Sequence, residues 1–518
     1  MSLALTHLLH KAVRECPEGP ALQAGEQRHS FAELRDQAAR LAAVLHALGV
    51  GPGDRVGMLA PNGLAYATFI WGSWWAGAAL NPVNTRWSAS EIAYSLDDCD
   101  TRVLIVDEPF VATAEAVRQQ SSALRHLIYC GAGPAPSGWL HWAEALAEHG
   151  PVDDAGRGGE DLAMVMYTGG TTGRSKGVML SHSNLYIATL ASMAMAPRPT
   201  GGVALMAAPL FHIAGFATSV RMLRQQTLQV FLNAFEEASV LRAIVQHGVT
   251  EMFMVPTMIK RLIDHPDFAQ TDTRSVRNIS YGAAAIDQAL LNRAMAALPD
   301  TQFNQAYGMT ELSPTITMLL PHDHLPGPKQ AQRLRSAGRP MPIAEVRIVD
   351  EHDQELPTGQ VGEICARGPM VMQGYWNLPS TTAEALRGGW MHTGDAGFID
   401  EDGYVHVVDR IKDMVISGGE NVYCVEVESA ITHMPQVAQC AVIGLPDEQW
   451  GERVHAVVVL HAGQTLSLAD ITTHCRPLIA SYKIPRSLEI VDALPLSAAG
   501  KVLKHVLRAA HAPKPATS

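Results

Sequence analysis

The sequence predicts an α/β fold in two parts: a large multi-subdomain N-terminal domain of layered α/β sheets with a small β unit, and a small α+β C-terminal domain. Three observations lead there. At 518 residues the chain exceeds what one compact core accommodates. Apolar runs alternate with amphipathic stretches up to about residue 320, as layered α/β architecture requires. From about residue 340 the texture changes to short alternating segments separated by Gly, Pro and Asp turns.

The first clear element covers residues 31–48. Phe31, Leu34, Ala38, Leu41, Leu45 and Leu48 step by three and four, Ser30 and Glu33 form a capping-box pattern, and Gly49 closes the helix. Residues 56–60 read as a buried strand. The most apolar stretch, 66–80, is too short and too interrupted by Gly and Trp for a membrane span, so it reads as a buried helix. Segments 345–350, 361–365 and 404–408 supply the strands of the small β unit. Beyond them a helix is expected near 425–433, strands near 438–444 and 453–460, and a last helix near 501–511. The expected division is an N-terminal domain over 1–409, a boundary at 410–413, a C-terminal domain over 414–512 and a disordered tail at 513–518. No internal repeat or low-complexity tract is visible.

Composition narrows the function. A hydrophobic fraction of 47% supports sizeable cores. The net charge of −12 argues against nucleic acid as partner, since binding a phosphate backbone relies on clustered Lys and Arg. A soluble enzyme of small molecules fits better. Cysteines 16, 99, 130, 365, 424, 440 and 475 lie far apart, with no C-x-x-C pair and an odd total, which disfavours a disulfide framework or a zinc site. Residues 1–15 carry His and Lys and lack the order of a secretory signal. The expectation is a cytoplasmic protein without a transmembrane segment.

The strongest chemical signal is Tyr167-Thr-Gly-Gly-Thr-Thr-Gly-Arg-Ser-Lys-Gly177, which leaves the apolar run 162–166. Gly169, Gly170 and Gly173 let backbone N–H groups turn toward an anion, Thr168, Thr171 and Thr172 add hydroxyl donors, and Lys176 supplies a point charge. A triphosphate is the natural occupant. Ser175 directly before Lys176 rules out a Walker A loop, which needs Gly there. The plain alternative is a flexible Gly/Thr-rich loop, against which stand the leading strand and the closing Lys-Gly.

With this segment the chain resembles the adenylate-forming superfamily of AMP-binding enzymes, which includes acyl-CoA synthetases, nonribosomal adenylation domains and beetle luciferases. The family segment reads Tyr-Thr-Ser-Gly-Thr-Thr-Gly-x-Pro-Lys-Gly, from which this chain departs at Gly169 and Ser175. Further matches follow in the family's order. Pro209-Leu-Phe-His-Ile-Ala-Gly215 resembles the segment whose His borders the acyl pocket and thiol tunnel; alone, His212 between Phe211 and Ile213 reads as a core histidine. Tyr281-Gly-Ala-Ala-Ala285 resembles the small-residue turn where the backbone, here Gly282, Ala283 and Ala284, approaches adenine. Close packing is the local alternative. Asn304-Gln-Ala-Tyr-Gly-Met-Thr-Glu311 implies nucleotide contacts from Gln305, Ala306, Tyr307 and Gly308, an α-phosphate contact from Thr310, and Mg²⁺ held by Glu311 with Thr168.

Trp390-Met-His-Thr-Gly-Asp395 implies that Asp395 accepts the ribose hydroxyls. Asp409-Arg-Ile-Lys-Asp413 implies ribose and phosphate contacts from Arg410 and a hinge at Lys412; without their neighbours these charges read as an exposed turn. Ser417-Gly-Gly-Glu-Asn-Val-Tyr423 resembles the segment that meets coenzyme A, so Ser417, Gly418, Gly419 and Trp450, with the run 481–486, form the implied thiol side. Pro495-Leu-Ser-Ala-Ala-Gly-Lys501 places Lys501 where the family carries its adenylation lysine, although an exposed C-terminal Lys is ordinarily a solubilising charge.

The resemblance implies an acyl-CoA synthetase of the fatty-acid or aryl-acid CoA ligase type, using ATP, Mg²⁺ and coenzyme A, with a mobile C-terminal domain. Catalytic roles fall to Lys501, Thr310, Glu311 and His212. Pocket segments 211–216, 252–257, 282–285 and 307–314 are apolar, with no fixed cation for a second carboxylate, which favours a fatty, branched or aryl monoacid. Alternatives are a freestanding adenylation enzyme loading a carrier protein, a luciferase-like oxygenase, and a non-catalytic nucleotide- or acyl-CoA-binding homologue. Against the second class of acceptor, no acidic side chain lies between 209 and 221 to bind an amino-acid amine, and no carrier domain follows 512. The spacing of Pro495, Gly500 and Lys501 matches that around acetylated lysines of some acyl-CoA synthetases. A lysine acetyltransferase acting on Lys501 is therefore a candidate partner, and a second copy of the chain, in a homodimer, is a further expected one.

Overall fold

The computed structural model describes residues 3–168, 174–418, 420–496 and 502–511. These fall into two compact units: one of residues 3–168, 174–346 and 366–391, the other of residues 347–365 and those from 392 onward.

The first unit holds two large sheets. In one, the parallel strands Pro20–Ala24, Leu228–Phe231, Val203–Met206, Glu251–Met254, Asn278–Gly282 and Gln302–Tyr307 lie side by side in that order. Antiparallel strands close its edges, Gln27–Ser30 on one side, Thr317–Leu319 and Arg339–Pro340 on the other. The other sheet runs Gly374–Tyr375, Lys176–Ser181, Leu162–Thr168, Ala79–Pro82, Arg55–Leu59, Thr101–Val106, His126–Tyr129 and Leu140–His141. Its first three strands are antiparallel and the rest parallel. Parallel neighbours need crossover connections, and helices both supply these and cover the sheet faces.

Helix Phe31–Ala47 buries Phe31, Leu34, Ala38, Leu41 and Leu45, the face expected from the sequence. Its capping box forms: the Glu33 N–H donates to Ser30 Oγ at 3.2 Å and the Ser30 N–H to Glu33 Oε2 at 2.7 Å. A cap of this kind stabilises by about 1 kcal/mol. Helix Leu64–Trp75 is buried from Tyr66 to Trp75 and packs Trp71 edge-on against Trp74 at 5.3 Å. The apolar stretch 66–80 is therefore only partly helical, because the chain turns after Trp75 and re-enters a sheet as strand Ala79–Pro82. Apolar periodicity alone does not separate a buried helix from a buried strand. No described helix is long and apolar enough to cross a membrane.

The second unit contains most of a four-stranded sheet ordered Glu345–Val349, Gly362–Arg367, Met391–Ile399 and Val405–Arg410. It also contains a sheet ordered Glu420–Val422, Val415–Ser417, Gly451–Leu460 and Val437–Asp447, with Ser487–Ile490 parallel to Gly451–Leu460. Val415, Val427, Ile431, Val442, Val454 and Ile471 form its core. Residues 347–365 and 392–409, expected with the N-terminal part, are grouped with the C-terminal residues. Lys412 is exposed on the short turn Ile411–Asp413. The last helix is Lys504–Ala510, three residues shorter at its start than expected. Two ion pairs fasten it: Lys504 to Glu428 and Arg508 to Asp413, both at 2.8 Å.

Candidate active site

In an open parallel sheet the crevice beyond the carboxyl ends of the strands receives ligands. Most of the sequence-predicted residues of the first unit lie there: His212 beyond Val203–Met206, Gly282 to Ala284 at the end of Asn278–Gly282, and Gln305 to Glu311 along and beyond Gln302–Tyr307. Register sets Gly282 beside Ala306. A Cβ at 282 would lie 2.3 Å from the Ala306 carbonyl oxygen, so close packing alone demands glycine at this position. Ala283 follows at φ 63°, a left-handed conformation uncommon without a glycine and concentrated at functional sites.

His212 is half-buried rather than a core residue. It caps helix Ile213–Arg224, its Nδ1 accepting from the Ala214 N–H at 3.4 Å. Buried Ala208, Phe253 and Val255 pack with Ala214, Met258 and Ala283, an apolar cluster to which three of the expected pocket segments contribute Ala214, Phe253, Val255 and Ala283.

A buried polar network holds these strands together. Arg198 pairs with Glu251 and donates through Nη2 to Asn304 Oδ1 at 2.6 Å and Ser280 Oγ at 3.2 Å, joining three neighbouring strands. Arg221 approaches Glu251 at 3.8 Å, and burial together with Arg198 pushes its pKa down to about 10. Breaking such a pair leaves an uncompensated buried charge. This network is not legible in the sequence, because its members are scattered over a hundred residues and carry no motif.

The phosphate-handling segment leaves strand Leu162–Thr168 and returns as Lys176–Ser181, with Thr168 and Lys176 facing across the ladder. Residues 169–173, including Gly169, Gly170, Thr171, Thr172 and Gly173, lie outside the described residues. Lys176 Nζ sits 4.9 Å from the centre of the Tyr375 ring, a cation–π contact. The Tyr375 hydroxyl donates to Glu311 Oε1 at 2.8 Å. Tyr375 therefore links the expected phosphate lysine to the expected Mg²⁺ carboxylate. It too was missed by the sequence reading; its only local signal is an aromatic after Gly374. Glu311 is 6% exposed, and Thr310 beside it is buried. The Glu311 carboxylate is an oxygen donor of the kind that Mg²⁺ takes.

In the second unit, Asp395 and Arg410 face each other on antiparallel strands. Arg410 Nε lies 2.7 Å from Asp395 Oδ1, and its Nη1 donates to the Thr393 carbonyl at 3.2 Å. Glu363 steadies the preceding residues of that strand, accepting from the Gly394 N–H at 3.0 Å and lying 2.8 Å from His392 Nδ1. Gly418 at φ 63° donates its N–H to the Trp450 carbonyl at 2.8 Å. Trp450 is 36% exposed, and the Arg486 guanidinium stacks 4.2 Å from its ring centre. Ser417 is buried, and its hydroxyl has no hydrogen-bond partner among the described residues. Gly418, Trp450 and Arg486, named separately from the sequence, are thus neighbours, while Gly419 and Lys501 lie outside the described residues.

Residues 9–376 match the model of the AMP-binding enzyme family, and residues 426–501 that of the AMP-binding enzyme C-terminal domain. The chain is 38% identical over 500 residues to a feruloyl-CoA synthase of Amycolatopsis, covering 96% of this chain and 97% of that one. It is 36% identical over 496 residues to the fatty acid–[acyl-carrier-protein] ligase ScoC of Streptomyces coeruleorubidus, covering 95% and 93%. Among solved structures it resembles ATP-bound MatB from Rhodopseudomonas palustris, with TM-score 0.90 at 32% identity over 99% of both chains.

Proposed function

The chain belongs to the AMP-binding enzyme family, and from that premise we propose that it is an AMP-forming acid:CoA ligase for an apolar monocarboxylic acid, working in the cytoplasm. The observation that carries the first half-reaction is the Lys176–Tyr375–Glu311 chain, a phosphate-side cation and a cation-binding carboxylate joined by one phenol. The apolar cluster at Ala208, Phe253 and Val255 supports the class of acid.

A carboxylate is a poor acyl donor because its leaving group would be oxide. Its oxygen attacks the α-phosphorus of ATP, pyrophosphate departs, and the acid becomes a mixed anhydride with AMP. The thiol sulfur then attacks the carbonyl carbon, AMP leaves with the electrons of the broken C–O bond, and the thiol gives up its proton. The protein's part is positioning and charge neutralisation. In this reading, residues 168–176 cradle the departing pyrophosphate and Lys501 bridges carboxylate and α-phosphate, with Thr310 at the same phosphate. Glu311 and Thr168 would hold Mg²⁺, which would supply charge neutralisation at the phosphates. Tyr375 orients Glu311. Gly282 to Ala284 and Gln305 to Gly308 take the adenine, Asp395 and Arg410 the ribose, and His212 borders the acid.

For the second half-reaction, we assign Lys412 as the hinge that exchanges Lys501 for Ser417, Gly418, Gly419 and Trp450. Acetylation of Lys501 would remove the charge needed at the α-phosphate and act as an off switch.

The similarity to ScoC supports a second reading with the same first half-reaction and a carrier-protein thiol as acceptor. The exposed Trp450 under Arg486 favours coenzyme A, because an indole and a guanidinium suit a nucleotide's base and phosphates. The deciding experiment supplies ATP, Mg²⁺ and straight-chain, branched, phenylpropenoic or benzoic acids with either coenzyme A or a phosphopantetheinylated carrier protein. Acyl-CoA formed with AMP and pyrophosphate is the expected result. Thioester on the carrier alone would overturn the choice of acceptor, and absence of acid-dependent ATP–pyrophosphate exchange would overturn both readings.

A further inference from the structure

Away from the residues assigned to catalysis, the second unit brings two imidazoles and a carboxylate together. His455 belongs to strand Gly451–Leu460, Glu489 to the adjacent strand Ser487–Ile490, and His511 to the C-terminal cap of helix Lys504–Ala510. The register pairs His455 with Ser487 and Val457 with Glu489, so His455 and Glu489 stand on one face of the sheet. That is the face on which Val457 packs against Leu507 of the helix. Glu489 Oε2 lies 2.9 Å from His511 Nε2 and 4.0 Å from His455 Nε2, and the three atoms lie within 4.8 Å of one another.

His455 is 4% exposed, and among the described residues its buried Nε2 has no hydrogen-bond partner; it lies 4.0 Å from Glu489 Oε2. Leaving such a group unpaired is unfavourable. Its other ring nitrogen is fixed at 2.7 Å from the Ser487 hydroxyl. An imidazole oriented through one nitrogen, with the other directed at a carboxylate and a second imidazole, has the surroundings of a metal ligand.

We propose that His455, Glu489 and His511 form a binding site for a divalent transition metal of the Zn²⁺ class, with the remaining position taken by water. Ligand bonds of about 2.0–2.1 Å in a tetrahedron put donor atoms roughly 3.3–3.4 Å apart. The spacings of 2.9 and 4.0 Å bracket that value, so small side-chain shifts close the site. Imidazole nitrogens select such a metal over Mg²⁺, which prefers oxygen. Glu489 and His511 are partly exposed, which gives the ion a path in. Cysteine spacing carried no sign of this site, because its ligands are two histidines and a glutamate from three elements. Bound metal would clip the end of the last helix to the sheet, and that helix follows Lys501 in the chain.

The test uses the full chain stripped with a chelator and dialysed. Co²⁺ is titrated while its visible absorption is followed, Zn²⁺ is then added in competition, and the thermal midpoint is recorded with and without Zn²⁺. The expected results are one equivalent bound with a four-coordinate Co²⁺ spectrum and a midpoint raised by Zn²⁺. His511→Ala and Glu489→Gln alter partly exposed side chains, keep the fold by circular dichroism, and should lose both signals. Ser487→Ala should weaken binding about 10- to 100-fold through loss of His455 orientation. Cys365→Ser, at the separate Glu363–Cys365–His392 cluster, should bind as the parent does. Failure of the parent to bind stoichiometrically, or undiminished binding by His511→Ala and Glu489→Gln, would overturn the proposal.

Discussion

Asp395 and Arg410 are cross-strand partners joined by a 2.7 Å ion pair, although fifteen residues of chain separate them. The pair holds the Asp395 carboxylate in one orientation on a strand, as the proposed ribose contact requires. Asp395→Ala should lower kcat/KM for ATP about 10- to 100-fold, since hydrogen bonds to a charged group contribute about 1.5–3 kcal/mol. Acid-dependent ATP–pyrophosphate exchange measures it, and a parent-like value would remove Asp395 from the nucleotide site.

Tyr375→Phe keeps the ring under Lys176 and removes only the hydroxyl bonded to Glu311. The expected outcome is a loss of about tenfold in adenylation rate, matching about 1.5 kcal/mol, with a raised Mg²⁺ requirement and an unchanged thermal midpoint. A change in midpoint without a change in Mg²⁺ dependence would make Tyr375 purely structural.

Lys501→Ala should abolish acyl-AMP formation while sparing thioester formation from supplied acyl-AMP. Single-turnover assays of the two halves separate them, and equal loss of both would contradict the assignment.

Gly418 has φ 63°, and a Cβ there would approach Trp450 Cε3 to 2.9 Å. Gly418→Ala must therefore displace the indole or the backbone. The thioester half-reaction should slow about tenfold or more, corresponding to a strain of about 1–3 kcal/mol, with acyl-AMP formation preserved. Slowing of the first half-reaction alone would place Gly418 on the wrong side of the cycle.

His182 is buried and its Nδ1 accepts the Leu5 N–H at 3.3 Å, a bond that needs a neutral nitrogen. Burial lowers its pKa from 6.5 to about 4. Between those values the unfolded chain binds more protons than the folded one, so the His182 contribution is full above about pH 6.5 and fades as pH falls toward 4. The loss is on the order of 2–3 kcal/mol. Denaturant midpoints at pH 7 and pH 5 should fall less for His182→Gln than for the parent; equal slopes would rule His182 out.

Local signals carried much of this molecule into its sequence. Ser30 and Glu33 marked a helix start because a capping box is complete within four residues, and the run 162–166 marked a strand because its pattern is local too. Tyr375 was invisible because its partner Glu311 is distant in the chain and becomes a neighbour only when strand 374–375 pairs with 176–181. Arg198 was hidden for the same reason, its partners being supplied by three strands. The segment 66–80 misled because uniform burial erases the periodicity that tells helix from strand.

In the proposed second half-reaction Trp450 would supply a built-in optical signal. Its indole is 36% exposed, whereas Trp71 and Trp74 are almost wholly enclosed. A thiol substrate settling on Gly418 and Arg486 would exchange water for ligand around this ring, shifting and quenching its emission. The difference between the parent and Trp450→Phe would then follow thiol arrival in real time, without a label and before any product forms.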